Sequence, residues 1–247
     1  MTSNQFSIRL HEARMMMGLS MEKLAELTGG IITKQSISRY EKGLMLPKRV
    51  AKLAMAKALN ISDSYFDGTN LKIDMPMLRT TSNGKLSEGE LQALEAKLSF
   101  WAEQYLAKEK EAGFPTQFKN PIKGTRVSTL EDAIQASSLL REKWHCGDGP
   151  IASILRLLER KGIMILAATL PDYVFGLSTW ADNEHPLMIL DFNPEKSSVE
   201  KLRFTAVHEL AHLLLSFPQE SDYSVEKRCD LFASFFLLPK HTFIEEL

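Results

Sequence analysis

The chain has 247 residues, 44% of them hydrophobic and 25% charged, with a formal net charge of −1. That composition is ordinary for a soluble globular protein, and the length suits two domains. No run approaches the roughly 18 apolar residues of a membrane span, no signal peptide opens the chain, and two cysteines, Cys146 and Cys229, make no disulfide framework. The expectation is a cytoplasmic protein without a membrane partner.

In chain order, Phe6 to Met17 has amphipathic-helix spacing, and Ser20 to Thr28 reads as a second, capped helix broken by Gly29-Gly30. Thr33 to Gly43 predicts a third helix ended by glycine. Pro47 opens a fourth, with Val50, Leu53, Ala54, Ala58 and Leu59 as its apolar face. Two helices joined by a glycine turn, the second of them polar, follow the logic of a helix-turn-helix domain, which sets its polar helix in the DNA major groove. Ile37 is expected to face the core, leaving Thr33, Lys34, Gln35, Ser36, Ser38 and Arg39 as candidate DNA contacts, since Gln can read adenine and Lys or Arg can reach guanine or phosphate. The alternative is a helical interaction module that binds no DNA. Residues 1–66 carry an excess of five positive charges and residues 67–247 an excess of six negative ones, which favours a DNA reader joined to an acidic domain. Leu24-Ala25, Ile37 to Glu41, Gly43 and Pro47 resemble the XRE (Cro/C1-type) helix-turn-helix family over about sixty residues. That resemblance implies an all-α domain at 1–66 and an operator in double-stranded DNA as a partner. The turn at Gly29 to Ile32 looks about two residues longer than that pattern.

Asp67 to Lys85 is polar and carries Pro76 and Gly84, so it reads as a linker inside a connecting region, 67–127. A helix is expected near 87–110. Leu91, Leu94, Leu98, Trp101 and Tyr105 recur every three and four residues along it, as in a coiled-coil seam. Two readings stay open: the seam pairs two chains into a homodimer, or it docks on the domain that follows. Gly113 to Arg126 reads as a loop.

From residue 128 onward the pattern predicts helices at Thr129–Trp144 and Pro150–Lys161, strands at Ile163–Ala167, Val174–Thr179 and Pro186–Phe192, and two further helices. Ser197 with Glu200 is the expected capping box of the first of these. This is an α+β domain, helices around a small sheet whose edge could hold an extended peptide by strand addition.

That first helix, inside the apolar run Phe204 to Phe217, contains His208-Glu209-Leu210-Ala211-His212. Residues four apart on a helix stand one above the other, so both imidazoles can reach one Zn²⁺, and Glu209 is carried to the metal's open side as general base. The motif arises by chance in roughly one per cent of chains this long, so it is not decisive alone. The bland reading is a buried helix with two satisfied core histidines, but it would leave the Glu209 carboxylate beside a buried face. A catalytic zinc needs a third protein ligand, and Glu226 is the candidate. Asp230, four residues on, would fix the outer nitrogen of a ligand histidine, and Ser224 or Asp222 would cap this helix. Glu220, Asp222 and Cys229 are the competing ligands. Tyr173, Tyr223 and His185 are candidates for stabilising an oxyanion.

His208 to His212, Glu226 with Asp230 and Phe232-Ala233, and Leu237-Leu238-Pro239 resemble the ImmA/IrrE family of metallopeptidase domains. The segments around Pro150, Gly162-Ile163, Gly176-Leu177-Ser178, Pro186 to Asn193 and Arg203 to Thr205 continue the resemblance, over about residues 128–241. Ala211 stands where that family usually has Gly, and Cys229 where it usually has Ala. The resemblance implies a zincin-like α+β metallopeptidase domain at 128–247, holding Zn²⁺ and cleaving a protein substrate such as a repressor in stress- or mobile-element-linked derepression. The chain's own linker is another target to consider. Two other readings stay open. In one, the peptidase-like domain only senses a ligand or metal; in the other, the chain is the antitoxin-like partner of a toxin–antitoxin or phage-type module.

Overall fold

The computed structural model describes residues 3–68, 71–74, 88–113, 117–170, 174–218 and 222–239. The chain divides into two units, Met1–Ile73 with Lys85–Gln104, and Asp74–Gly84 with Tyr105–Leu247. Most of the expected linker, residues 75–85, lies outside the described residues.

The first unit holds α1 (Ser3–Met16), α2 (Met21–Leu27), α3 (Lys34–Glu41), α4 (Arg49–Ala58), a 3-10 turn at Asp63–Asp67 and most of α5 (Glu88–Glu111). Side-chain caps set the starts. Ser20 accepts the Lys23 amide at the head of α2, and Thr33 accepts the Ser36 amide at the head of α3. Gly29 and Gly30, both at positive φ, let the chain turn between α2 and α3. Phe6, Leu10, Leu24, Ile37, Met55, Leu59 and Phe66 are fully buried in one core.

The apolar face of α4 differs from expectation. Met55 and Ala56 are buried, with Ala51, Ala54 and Ala58 packed beside them, whereas Val50 and Leu53 are 68% and 44% exposed. With the helix starting at Arg49, the stripe that meets the core runs through 51, 55, 58 and 59, the i, i+4, i+7, i+8 face. On α5, Leu98 of the expected seam is 1% exposed within the single chain. The same helix sends Phe100 against Tyr65, ring centroids 5.5 Å apart, and Glu103 onto the Arg9 guanidinium at 2.6 Å.

Arg9 is 2% exposed and lies over the Tyr65 ring, with the Glu12 and Glu103 carboxylates facing it. Burial raises Glu12 to about 7, helped by Glu103 and opposed by Arg9, His11 and a hydrogen bond with Tyr65. A carboxyl whose folded pKa exceeds its unfolded one holds its proton more tightly when folded, so it costs stability as pH rises between the two values. Melting temperatures of wild type and Glu12→Gln should therefore diverge from pH 4.5 to about 7, wild type falling, and then run parallel. A difference that does not change with pH would mean that Glu12 titrates alike in the folded and unfolded chains.

In the second unit, α6 (Leu130–Trp144) starts at a capping box in which Thr129 and Asp132 bond each other's backbone amides. Next come α7 (Ile154–Arg160), three strands, α8 (Val199–Leu214) and α9 (Asp222–Leu237). Numbering the two-residue strand Ile73–Asp74, at the division between the units, as β1, the three are β2 (Met164–Ala167), β3 (Gly176–Ala181) and β4 (His185–Leu190). β4 lies between the other two, antiparallel to β3 and parallel to β2, and Leu187 to Leu190 are fully buried. Asp182 and Asn183 take positive φ in the β3–β4 turn, a conformation those residue types tolerate. Leu140, Leu158, Met188, Leu190, Val207, Leu210, Phe232 and Phe236 form the core shared by helices and sheet. The fold is α+β, as the sequence pattern predicts.

Several boundaries move. α7 begins at Ile154 rather than Pro150, because Ser153 caps it. Ser198, not Ser197, caps α8, accepting the Lys201 amide, and α8 stops at Leu214, three residues before Phe217, where Leu215 turns extended. Ser224 lies inside α9 and is not its cap. None of the helices among the described residues is long and apolar enough to cross a membrane.

Candidate metal centre and nucleic-acid face

α8 carries His208 and His212 on one face, and α9 packs against it. The two Nε2 atoms stand 3.2 Å apart. Glu226, from α9, reaches both: Oε2 lies 3.0 Å from His208 Nε2 and Oε1 3.3 Å from His212 Nε2. A tetrahedral zinc with bonds of about 2.1 Å separates its ligand atoms by about 3.4 Å, so the two imidazole nitrogens and the Glu226 carboxylate are close to the spacing of such a shell. Glu226 is 52% exposed and His208 14%, which leaves the Glu226 side open to solvent. Asp230 Oδ1 lies 2.8 Å from His208 Nδ1, so in the tautomer that carries its proton on Nδ1 the carboxylate accepts it and Nε2 is the nitrogen that could face a cation.

Charge fits a cation site too. Hydrogen bonds from His208 and His212 hold the Glu226 carboxyl well below the ordinary range. Burial opposes charge on His208, but its hydrogen bond with Glu226 and the charges of Glu209, Glu226 and Asp230 outweigh burial and raise its pKa.

Cys229 needs weighing as a ligand, since its Sγ and one nitrogen of each histidine lie within 4.8 Å of one another. The sulfur approaches His212 at Nδ1, 3.8 Å away, the nitrogen opposite the one that faces His208 and Glu226. It is also fully buried, and burial, with Glu226, Glu209 and Asp230 nearby, pushes the thiol pKa up. Glu226 therefore fits the third position better. Among the other competitors, Glu220 and the side chain of Asp222 lie outside the described residues.

Glu209 points the other way from the core stripe of α8 and meets β3. Ser178 Oγ donates to Glu209 Oε2 at 2.6 Å, a contact between residues 31 apart that no local sequence signal marks. Gly176, two residues earlier, makes the approach possible: a Cβ there would sit 2.6 Å from Thr205 Cγ2 and 3.2 Å from Glu209 Cγ. Of the oxyanion candidates, Tyr173 and the Tyr223 side chain lie outside the described residues. His185 pairs with Ala181, three residues along β3 from Ser178, about 10 Å away at ordinary strand rise.

In the first unit, Thr33 and Ser36 are engaged with each other at the cap of α3, their hydroxyls 3.0 Å apart. Lys34, Gln35, Ser38 and Arg39 share one shallow hollow on the face opposite buried Ile37 and Tyr40. Lys34 also pairs with Glu22 of α2.

The first unit has helix-turn-helix order, and the second is an α+β unit in which His208, His212 and Glu226 come together. Comparison with known families agrees. Residues 10–66 match the family described as Helix-turn-helix, and residues 158–247 match that described as the IrrE N-terminal-like domain, Peptidase_M78. The chain thus fuses an XRE-type helix-turn-helix domain to an ImmA/IrrE-like domain. No curated protein and no solved structure matches it.

Replacing Gly176 by Ala forces β3 and α8 apart. The second unit should lose about 1–3 kcal/mol of stability in urea unfolding, the usual cost of overpacking. An unchanged midpoint would mean that the strand shifts freely.

Proposed function

We propose that the protein is a DNA-binding transcription regulator whose second unit is a zinc-dependent endopeptidase. The observation that carries this reading is the convergence of His208, His212 and Glu226 beside a Glu209 that no ligand role occupies. When bound by these three residues, zinc would acidify a water molecule and polarise the scissile carbonyl. Glu209 would serve as the general base toward water and would then give the proton to the leaving amine. Ser178 holds one Glu209 oxygen, which leaves the other for the water. Asp230 keeps the His208 ring in its ligating tautomer. The substrate class is a protein, and a repressor or other regulatory protein suits an enzyme joined to a DNA reader. Cutting it would relieve repression under stress or in a mobile element.

A sensor that only binds metal or ligand has no need of a carboxylate held at Glu209, so the Ser178 contact favours chemistry. The test is a comparison of new protein N-termini in cell extract after adding zinc-loaded wild type or Glu209→Gln. The variant should keep its zinc and generate none of the N-termini that wild type generates. Identical sets from both would remove Glu209 from the chemistry. DNA binding that responds to metal without new N-termini would instead support the sensor.

For DNA, we assign Lys34, Gln35, Ser38 and Arg39 to base and phosphate contacts, with Thr33 and Ser36 shaping the helix start. On a duplex selected from a random pool, Arg39→Ala or Gln35→Ala in the full chain should each cost about 1–3 kcal/mol of binding. Unchanged affinity in both would place the DNA contact on another face.

A further inference from the structure

Residues 117–129 precede the part of the chain that matches the peptidase family, which begins at residue 158. They carry no candidate ligand, and the sequence pattern reads them as loop as far as Arg126. Their bonds are nonetheless concentrated around the metal-bearing helices. Asn120 Nδ2 donates to the Leu214 carbonyl at 2.9 Å, at the last residue of α8 and two residues after His212. A helix end leaves its final carbonyls without partners, so this bond ties down the point where the chain leaves α8. The Asn120 side chain is itself held, its Oδ1 accepting the Ile122 amide at 2.9 Å.

Just beyond, Ser216 donates its amide to Thr125 O at 3.0 Å, and its carbonyl accepts the Val127 amide at 2.9 Å. The next bond crosses to α9. Arg228, 5% exposed and two residues after Glu226, donates through Nη1 to Val127 O at 3.1 Å. Ile122 and Val127 are 3% and 0% exposed in the same core as Leu214 and Phe232. One stretch of chain is therefore bonded two residues past His212 on α8 and two residues past Glu226 on α9.

We infer that residues 118–128 form a positioning strap for the metal centre, setting the distance between the His208–His212 pair on α8 and Glu226 on α9. This rests on the zinc reading proposed above. The two helices are joined through residues 215–221, and the two imidazole nitrogens, 3.2 Å apart, each lie within 3.3 Å of one oxygen of the Glu226 carboxylate. A displacement of half an ångström between the helices would spoil that spacing, and the strap bonds resist it. These bonds end on Leu214, Ser216 and Arg228 rather than on a ligand, so the strap acts through where it holds α8 and α9.

The test is zinc affinity of the full chain by chelator competition, for wild type, Asn120→Ala, Arg228→Met and Arg228→Lys, with His208→Ala as control. Each chain is first shown to be folded without metal by circular dichroism and melting. A purely structural role would lower melting temperature and leave the affinity of the folded chain unchanged. The strap predicts that Asn120→Ala and Arg228→Met bind zinc about tenfold or more weakly, the usual effect of losing an outer support of a metal site. Arg228→Lys, which can still donate to Val127 O, should recover much of the loss. In a Glu226→Ala background, Asn120→Ala should have little further effect, because the ligand it positions is gone.

Affinity within about twofold of wild type in folded Asn120→Ala and Arg228→Met would overturn the strap, as would an equal Asn120→Ala effect with and without Glu226. If wild type binds zinc and His208→Ala does not, such a result removes the strap and leaves the metal centre standing. If wild type itself binds no zinc, both fall.

Discussion

Two imidazole nitrogens and a carboxylate held within 3.3 Å of one another are the constraint on which the second unit is organised. Hydrogen bonds from the two histidines favour an ionised Glu226, and Glu226, Glu209 and Asp230 in turn favour positive charge at His208, so the cluster is one electrostatic unit. Helix geometry accounts for half of this arrangement, since positions 208 and 212 share a face. The other half needs α9 at a definite height and rotation against α8. Leu210, Ala211 and Leu213 pack the back of α8 into the core while Cys229, Phe232, Ala233 and Phe236 do the same for α9, so the polar faces are left toward the centre.

The sheet serves the same centre from the other side. β3 approaches α8 closely because Gly176 has no side chain, and that approach brings Ser178 to Glu209. The strand nearest the general-base candidate is thus also the one that holds it. A base fixed by a strand has its carboxylate oriented before substrate arrives, which is the condition for efficient proton transfer. Buried Asp191, just after β4, anchors the flanking loops by accepting the Leu170 and Asn193 amides and the Lys196 ammonium, keeping the ends of the sheet in place.

The first unit follows different physics. Its core is aromatic and aliphatic, built around Phe6 and Phe66, and it contains a buried ionic group where Arg9 meets Glu103 and the Tyr65 ring. Arg14 makes a comparable pair with Glu41 and so joins α1 to the end of α3. These pairs sit behind α3, while Lys34, Gln35, Ser38 and Arg39 lie on its outer face. Charge is distributed accordingly, positive in the reading unit and negative in the rest of the chain.

The sequence alone determined the features that depend on residues near one another in the chain. Helix starts at Ser20, Thr33 and Thr129 follow from local hydrogen bonds, the His208–His212 spacing from helical periodicity, and the helix-turn-helix order from glycine and polarity patterns. Local signals blurred where neighbours compete, as between Ser197 and Ser198, or along α4, where a one-residue rotation decides whether Val50 or Ala51 meets the core. Only the tertiary structure brought Glu226 and Asp230 up to the histidines, held Glu209 with Ser178, buried Leu98 within its own chain, and bonded Asn120 and Arg228 beside α8 and α9. These contacts join residues 18 to 101 positions apart, and no local pattern encodes them. They arise when the helices and sheet bury their apolar faces together and carry polar side chains from distant segments to the same point.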